Sequence, residues 1–238
     1  CVLLLLTSAR LKTRKTFGSF KAAAALFTYM ACFSLAYTGL GAATGTLIMV
    51  VSILVSTLFA ARVMGEPMAK RQFLGVGITL GGLLVLLGPA LSRPPLKESL
   101  LMACAGAAWA GYSILGRKSV DPALDTTGNF VRCLPFALLL LPFLHDMPLP
   151  GIALAVASGA FASALGYVLW YRLVGLLSTL TAALVQLSMP VLTALGAWFL
   201  LGEGMTIWLA ISGCIILFGI GYVQVSGYRS LPISSRPR

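Results

Sequence analysis

The chain has 238 residues, of which 59% are apolar and only 10% charged, and its mean hydropathy is +0.97. Soluble domains carry roughly 25% charged residues, so water is excluded as the main solvent. The net charge of +11 comes from basic residues scattered among the ends of apolar runs rather than gathered in one patch, which argues against a nucleic-acid partner and for anionic lipid headgroups.

In chain order, the first feature is a short apolar stub, Val2 to Leu6, followed by Arg10, Lys12, Arg14 and Lys15. It is too short to span a bilayer, and its charges follow the apolar part, whereas those of a secretory signal precede it. The stub reads as the tail of a helix cut short upstream, with a lipid-modified Cys1 as the alternative. Eight complete spans follow, at roughly 20–38, 42–64, 70–91, 98–117, 128–144, 150–171, 178–201 and 205–227. All are apolar all round and approach the roughly 20 residues that cover a hydrocarbon slab of about 30 Å at a rise of about 1.5 Å per residue; the shortest, 128–144, needs its flanks.

Fifteen of the 17 Lys and Arg fall on one side of this topology: before span one, after spans two, four and six, and after span eight, with Arg62, Lys70, Arg71, Arg117, Lys118, Arg132 and Arg172 among them. Only Arg93 and Lys97 fall on the other. The basic side is cytoplasmic by the positive-inside rule, so the C-terminus is inside.

The chain also repeats itself. Gly65-Glu66 and Gly202-Glu203 each close an apolar run and lie 137 residues apart, and the same offset pairs Leu47 with Leu184, Leu58 with Leu195, Ile78 with Ile215, Leu80 with Leu217 and Gly82 with Gly219. Five passes separate the two Gly-Glu pairs. An odd number of crossings turns the second copy upside down, the arrangement found in many secondary transporters.

The passage from Ser158 to Tyr171 (SGAFASALGYVLWY), the stretch Leu184–Leu192 (LVQLSMPVL) and the closing Leu200-Leu-Gly-Glu203 strongly resemble the EamA type of the drug/metabolite transporter superfamily. The first half agrees in Phe33–Leu40 (FSLAYTGL) and in Gly65-Glu66-Pro67. The resemblance implies an all-α polytopic bundle of ten helices in two inverted repeats of five, lodged in the cell membrane and moving small metabolites, often outward. This chain would supply helices three to ten and the end of helix two, so that 1–91 forms a truncated first repeat and 92–238 a second.

Candidate functional residues follow from the chemistry. Gly-Glu-Pro at 65–67 suits a helix end followed by a helix start; in the other reading Glu66 and Glu203 are paired gates on opposite faces, with Arg62 as a latch. Trp109 and Tyr112 of the fourth span and Tyr167 of the sixth are candidates to line a cavity, whereas Trp170 and Tyr171, beside Arg172, read as an interfacial belt. Arg132, three residues after Asn129, either snorkels to the interface or faces the cavity and favours a carboxylate or phosphate. Pro190 should kink the seventh span around Gln186, leaving Gln186 and Ser188 as a polar spot at midplane, or else only shape packing.

Scattered cysteines and a lone His145 give no metal-ligand pattern, and no cofactor is called for. The six acids sit at span ends or in loops, which disfavours carboxylate-based proton coupling. No nucleophile–base set or metal motif supports an intramembrane enzyme. The sequence therefore reads as a secondary transporter of a small molecule, with a non-transporting membrane scaffold as the alternative; it sets neither substrate nor oligomeric state.

Overall fold

A computed structural model of the chain describes residues 3, 17–66, 70–88, 94–138, 148–192, 199 and 207–230. Among them all regular structure is helical: α1 (Phe20–Ala36), α2 (Ala42–Val63), α3 (Lys70–Leu87), α4 (Leu96–Gly116), α5 (Pro122–Leu138), α6 (Leu149–Ala157), a π turn (Ser158–Ser163) running into α7 (Ala164–Val174), α8 (Thr179–Gln186) and α9 (Ile207–Ser230). Four stretches are long and apolar enough to cross a membrane: Thr44–Val63, Lys70–Leu87, Leu96–Gly116 and Leu149–Val174. Shorter apolar helices cover Phe20–Ala36, Thr179–Leu192 and Ala210–Val225. The far ends of the expected spans at 70–91, 128–144 and 178–201, the start of that at 205–227, and Glu203, His145 and Arg93 all lie outside the described residues.

Local chemistry sets the helix ends. At the end of α2, Gly65 takes φ +71°, the Glu66 N–H donates to the Ala61 carbonyl at 2.9 Å and the Gly65 N–H to that of Arg62 at 3.1 Å. These two bonds make a Schellman cap, whose left-handed residue is glycine because a Cβ there is disfavoured. Helix α5 begins at Pro122, six residues before the expected start of the fifth span at 128. The signal lies in Asp121-Pro122: the Asp121 carboxylate accepts from the Leu124 N–H at 3.2 Å, and proline supplies the first helical residue, where no N–H is needed. At α8, Ser178 caps the start by accepting from the Thr181 N–H at 3.1 Å.

Helix α8 stops at Gln186, and helix resumes at 189–192. Pro190 has no N–H to give the Gln186 carbonyl. The preceding turn tightens instead, with Leu187 donating to Leu184 at 2.9 Å and Ser188 to Val185 at 3.1 Å.

The chain divides into two compact units, 1–32 with 108–177, and 33–107 with 178–238. The second unit has a core of Val50, Leu54, Val76, Leu83, Leu184, Leu187, Ile216 and Val223. Its most intimate crossing joins α3 and α9. A Cβ added to Gly82 would come within 2.9 Å of Ile215 and Ile216, and one added to Gly219 within 2.8 Å of the Thr79 nitrogen, so hydrogen at these positions lets the backbones approach. The first unit combines the early part of α1, the end of α4, α5 and the long span Leu149–Val174. No residue of α6 or the π turn is buried, and an apolar surface of that kind suits acyl chains.

Candidate functional site

Aromatic side chains of the first unit gather from four helices, α1, α4, α5 and α7. On α4, Trp109, Tyr112 and Ser113 stand at i, i+3 and i+4; on α7, Tyr167, Trp170 and Tyr171 repeat that spacing, which puts each set on one helical face. Trp109 is the hub, with ring centroids at 4.8 Å from Tyr29, 5.3 Å from Tyr167, 5.7 Å from Tyr112 and 6.1 Å from Trp170. Phe130 of α5 lies 5.5 Å from Tyr167, and Tyr171 4.6 Å from Tyr112. Trp109 and Tyr112 are buried, whereas Tyr29, Phe130, Tyr167 and Trp170 are only partly so. The result is an aromatic cluster buried at Trp109 and Tyr112 and partly exposed at its outer rings.

Three of the sequence-derived candidates, Trp109, Tyr112 and Tyr167, thus come together. Trp170 and Tyr171 join the same cluster. The Trp170 indole N–H donates to Ser113 Oγ at 2.9 Å, and Tyr171, 3% exposed, receives the Asn129 amide at 3.2 Å on its hydroxyl. Facing a polar partner across the helix interface satisfies both groups without water, an outcome the adjacent Arg172 masks in the sequence. Tyr29 and Phe130 were also missed, because isolated aromatics on apolar helices look like ordinary lipid-facing residues.

Asn129 and Arg132 are spent on a clasp. Helix α5 presents Asp125, Asn129 and Arg132 at i, i+4 and i+7, and together they grip the segment entering α1. Asp125 Oδ1 accepts from the Gly18 N–H at 2.9 Å, Asn129 Oδ1 accepts from the Ser19 N–H at 2.9 Å, and Arg132 Nη1 donates to the Phe17 carbonyl at 2.6 Å. The guanidinium also lies 5.4 Å and 5.2 Å from the Phe17 and Phe20 ring centroids. Gly18 has φ +64°, and a Cβ on it would meet the Gly128 carbonyl carbon and the Asn129 nitrogen at 2.7 Å, so only glycine fits the turn. The arginine is thus tied to the Phe17 and Gly128 carbonyls through Nη1.

Two buried hydroxyls of this unit lie side by side. Among the described residues the Tyr112 hydroxyl and Thr126 Oγ1 make no well-aligned hydrogen bond, but they stand within reach of each other, and the tyrosine within reach of Tyr171 and Asn129. Buried polar atoms are nearly always paired. Thr126 is one turn before Asn129 and Phe130 on α5, at the edge of the aromatic cluster.

The remaining candidates belong to the second unit. Gln186 is buried and its amide donates to the Ala182 carbonyl at 3.0 Å, while Ser188 Oγ donates to the Val185 carbonyl at 2.6 Å. With Pro190, these groups stabilise the helix break itself. Glu66 accepts from Thr179 Oγ1 at 2.6 Å, which sets a carboxylate beside the first residue of α8, the end of a helix that favours negative charge. Next to it Thr181 Oγ1 meets Gln224 Oε1 at 3.2 Å. Among the described residues no group of three or more His, Cys, Asp or Glu is placed to hold a metal.

Comparison with known proteins agrees with this architecture. A solved crystal structure, 20% identical, superposes with a TM-score of 0.80 over 94% of this chain and 84% of its own, a likeness of fold. An uncharacterized protein of Pseudomonas aeruginosa is 45% identical over 209 residues, 87% of this chain and 73% of that one. A probable amino-acid metabolite efflux pump of Salmonella typhimurium is 27% identical over 209 residues, 80% of this chain and 70% of the pump. The EamA-like transporter family matches residues 96–224, more than half of the chain, and this multi-pass membrane protein belongs to that family.

Proposed function

We propose that the protein is a secondary transporter that exports small metabolites across the cell membrane by alternating access between two inverted repeats. It carries out no covalent chemistry. The substrate site is the aromatic cluster around Trp109, and the single observation that supports it best is the convergence of rings from α1 and α7 onto the buried tryptophan of α4, with the outer rings partly exposed. Sites of this composition, mostly apolar with a few placed polar groups, are what small-molecule pockets require. Kinship to an amino-acid metabolite efflux pump favours amino acids or their close derivatives as cargo.

Support for the repeat comes from the second unit. The helix starts at Gly41 (φ −64°, ψ 146°) and Ser178 (φ −64°, ψ 157°) lie 137 residues apart, the offset of the Gly-Glu pairs. The α3–α9 crossing behaves likewise: Gly82 meets Ile216 and Gly219 meets Thr79, and adding 137 to 82 and 79 gives 219 and 216. A contact that maps onto itself when the repeats are exchanged is what a pseudo-twofold axis generates. Eight spans with the C-terminus inside complete the reading.

The test is export from everted vesicles or proteoliposomes loaded with an amino-acid panel, comparing the protein with Trp109→Ala. Substrate movement lost in the variant, with normal membrane insertion, is expected. No movement of any panel member by the full-length protein would favour a scaffold.

A further inference from the structure

We propose that the hydrogen bond between Thr179 and Glu66 is a one-sided latch, which holds the end of α2 against the start of α8 and biases the resting protein towards closure on the Glu66 side. The inference rests on the reading of the protein as an alternating-access transporter and adds a device that sets its resting state.

The crossing of α2 with α8 is built from repeat mates. Val50 and Leu187, and likewise Leu54 and Val191, lie 137 residues apart and share one buried core, against which Leu47, the mate of the buried Leu184, also packs. Two helices related in this way should present equivalent contacts at both ends of their crossing, the end of each against the start of the other. At one end Glu66, just past the cap of α2, accepts from the hydroxyl of Thr179, the first residue of α8, at 2.6 Å. That length belongs to a bond with a charged acceptor. Thr179 is 1% exposed, so little water competes for its hydroxyl.

The other end lacks the donor. The offset pairs Glu66 with Glu203, but it pairs Thr179 with Ala42, the first residue of α2, and an alanine side chain has nothing to give a carboxylate. The groups that support the latch are equally one-sided. Ser178 Oγ donates to Thr181 Oγ1 at 2.8 Å and Thr181 Oγ1 to Gln224 Oε1 at 3.2 Å, whereas the mates of Ser178 and Gln224 are Gly41 and Leu87. The apolar crossing is common to both repeats and is indifferent to which end is shut; the polar fastening is not. A contact made in only one of two states shifts the equilibrium between them by its own free energy. Opening on the Glu66 side breaks this bond, and opening on the other side has no threonine counterpart to break.

The experiment uses the full-length protein in lipid nanodiscs, with its native cysteines replaced and nitroxides at Val63 and Val185, exposed residues of α2 and α8, whose separation is read by pulsed electron paramagnetic resonance. Wild type should sit mainly at the shorter distance. Thr179→Val keeps the shape and removes the donor, and should raise the ratio of the longer to the shorter population about tenfold or more, the worth of a hydrogen bond to a charged group. Thr179→Ser keeps the hydroxyl and should keep the wild-type ratio. A lowered melting temperature in Thr179→Val with the population ratio unchanged would overturn the proposal and leave the bond as packing support alone. Two populations whose ratio neither variant moves keep alternating access and sink the latch. A single distance in every protein also sinks the latch, and if no member of the amino-acid panel is moved either, alternating access goes with it.

Discussion

Asn129 carries more of the first unit than its size implies. It is 1% exposed, accepts from the Ser19 backbone and donates to Tyr171, so it joins the segment entering α1 to the aromatic cluster. Asn129→Ala removes the acceptor of the Ser19 N–H and the donor to the buried Tyr171 hydroxyl, and should lower stability by about 1 kcal/mol or more, measured by thermal unfolding in detergent. Arg132→Lys tests the clasp differently. Lysine keeps the charge but lacks the planar fork that bonds a carbonyl while lying over rings, so backbone hydrogen exchange at Ser19 and the following turn should accelerate although the charge is unchanged; unaltered exchange would show that a point charge suffices. The sequence made Asn129 and Arg132 legible as unusual polar residues in an apolar span, but not their partner. Phe17–Ser19 lies more than 100 residues away, and nothing in local periodicity links a glycine turn to a distant helix face. Trp109, Tyr112 and Tyr167 were legible because aromatic residues at helical spacing must share a face; Thr126 was not, because its approach to Tyr112 on another helix is visible only in three dimensions.

At the level of helices, the α3–α9 crossing gives a paired prediction. Gly82→Leu and Gly219→Leu should both destabilise the protein, and by similar amounts, since each inserts a side chain where a Cβ already lies within 3 Å of the opposing helix. Gly81→Leu and Gly221→Leu are the controls, because nothing lies within 4 Å of a Cβ at either position. Overpacking of this kind costs about 1–3 kcal/mol, which thermal unfolding of the four variants would resolve. Equal loss in all four would mean that glycine acts there through helix propensity or lipid packing rather than contact. The helix break has its own test: Pro190→Ala restores the donor for the Gln186 carbonyl and should lengthen α8 through 187–188, slowing amide exchange at that turn. The helical character of the described apolar runs and the Gly65 cap could be read from apolar length and turn chemistry. The start of α5 could not be read from hydropathy, because Leu124 to Asn129 is a polar stretch; its cap, Asp121-Pro122, was the signal that mattered.

For the molecule as a whole, the distribution of basic residues and the 137-residue offset make one joint claim. Arg62, Lys70 and Arg71 bracket the first Gly-Glu pair, so Glu66 should lie on the cytoplasmic face; five passes later Glu203 should lie on the outer face. Each half of this has an independent cause, since the positive-inside bias acts during insertion whereas the repeat register reflects packing. If both hold, a Glu203→Cys protein, with the five cysteines at 1, 32, 104, 133 and 214 replaced, should label with a membrane-impermeant maleimide in intact spheroplasts, while Glu66→Cys should label only after permeabilisation. Labelling of both from the same side would break the inverted relation. The contact pair Gly82–Ile216 and Gly219–Thr79 would then need a different origin, and alternating access by exchange of two equivalent halves would lose its geometric basis.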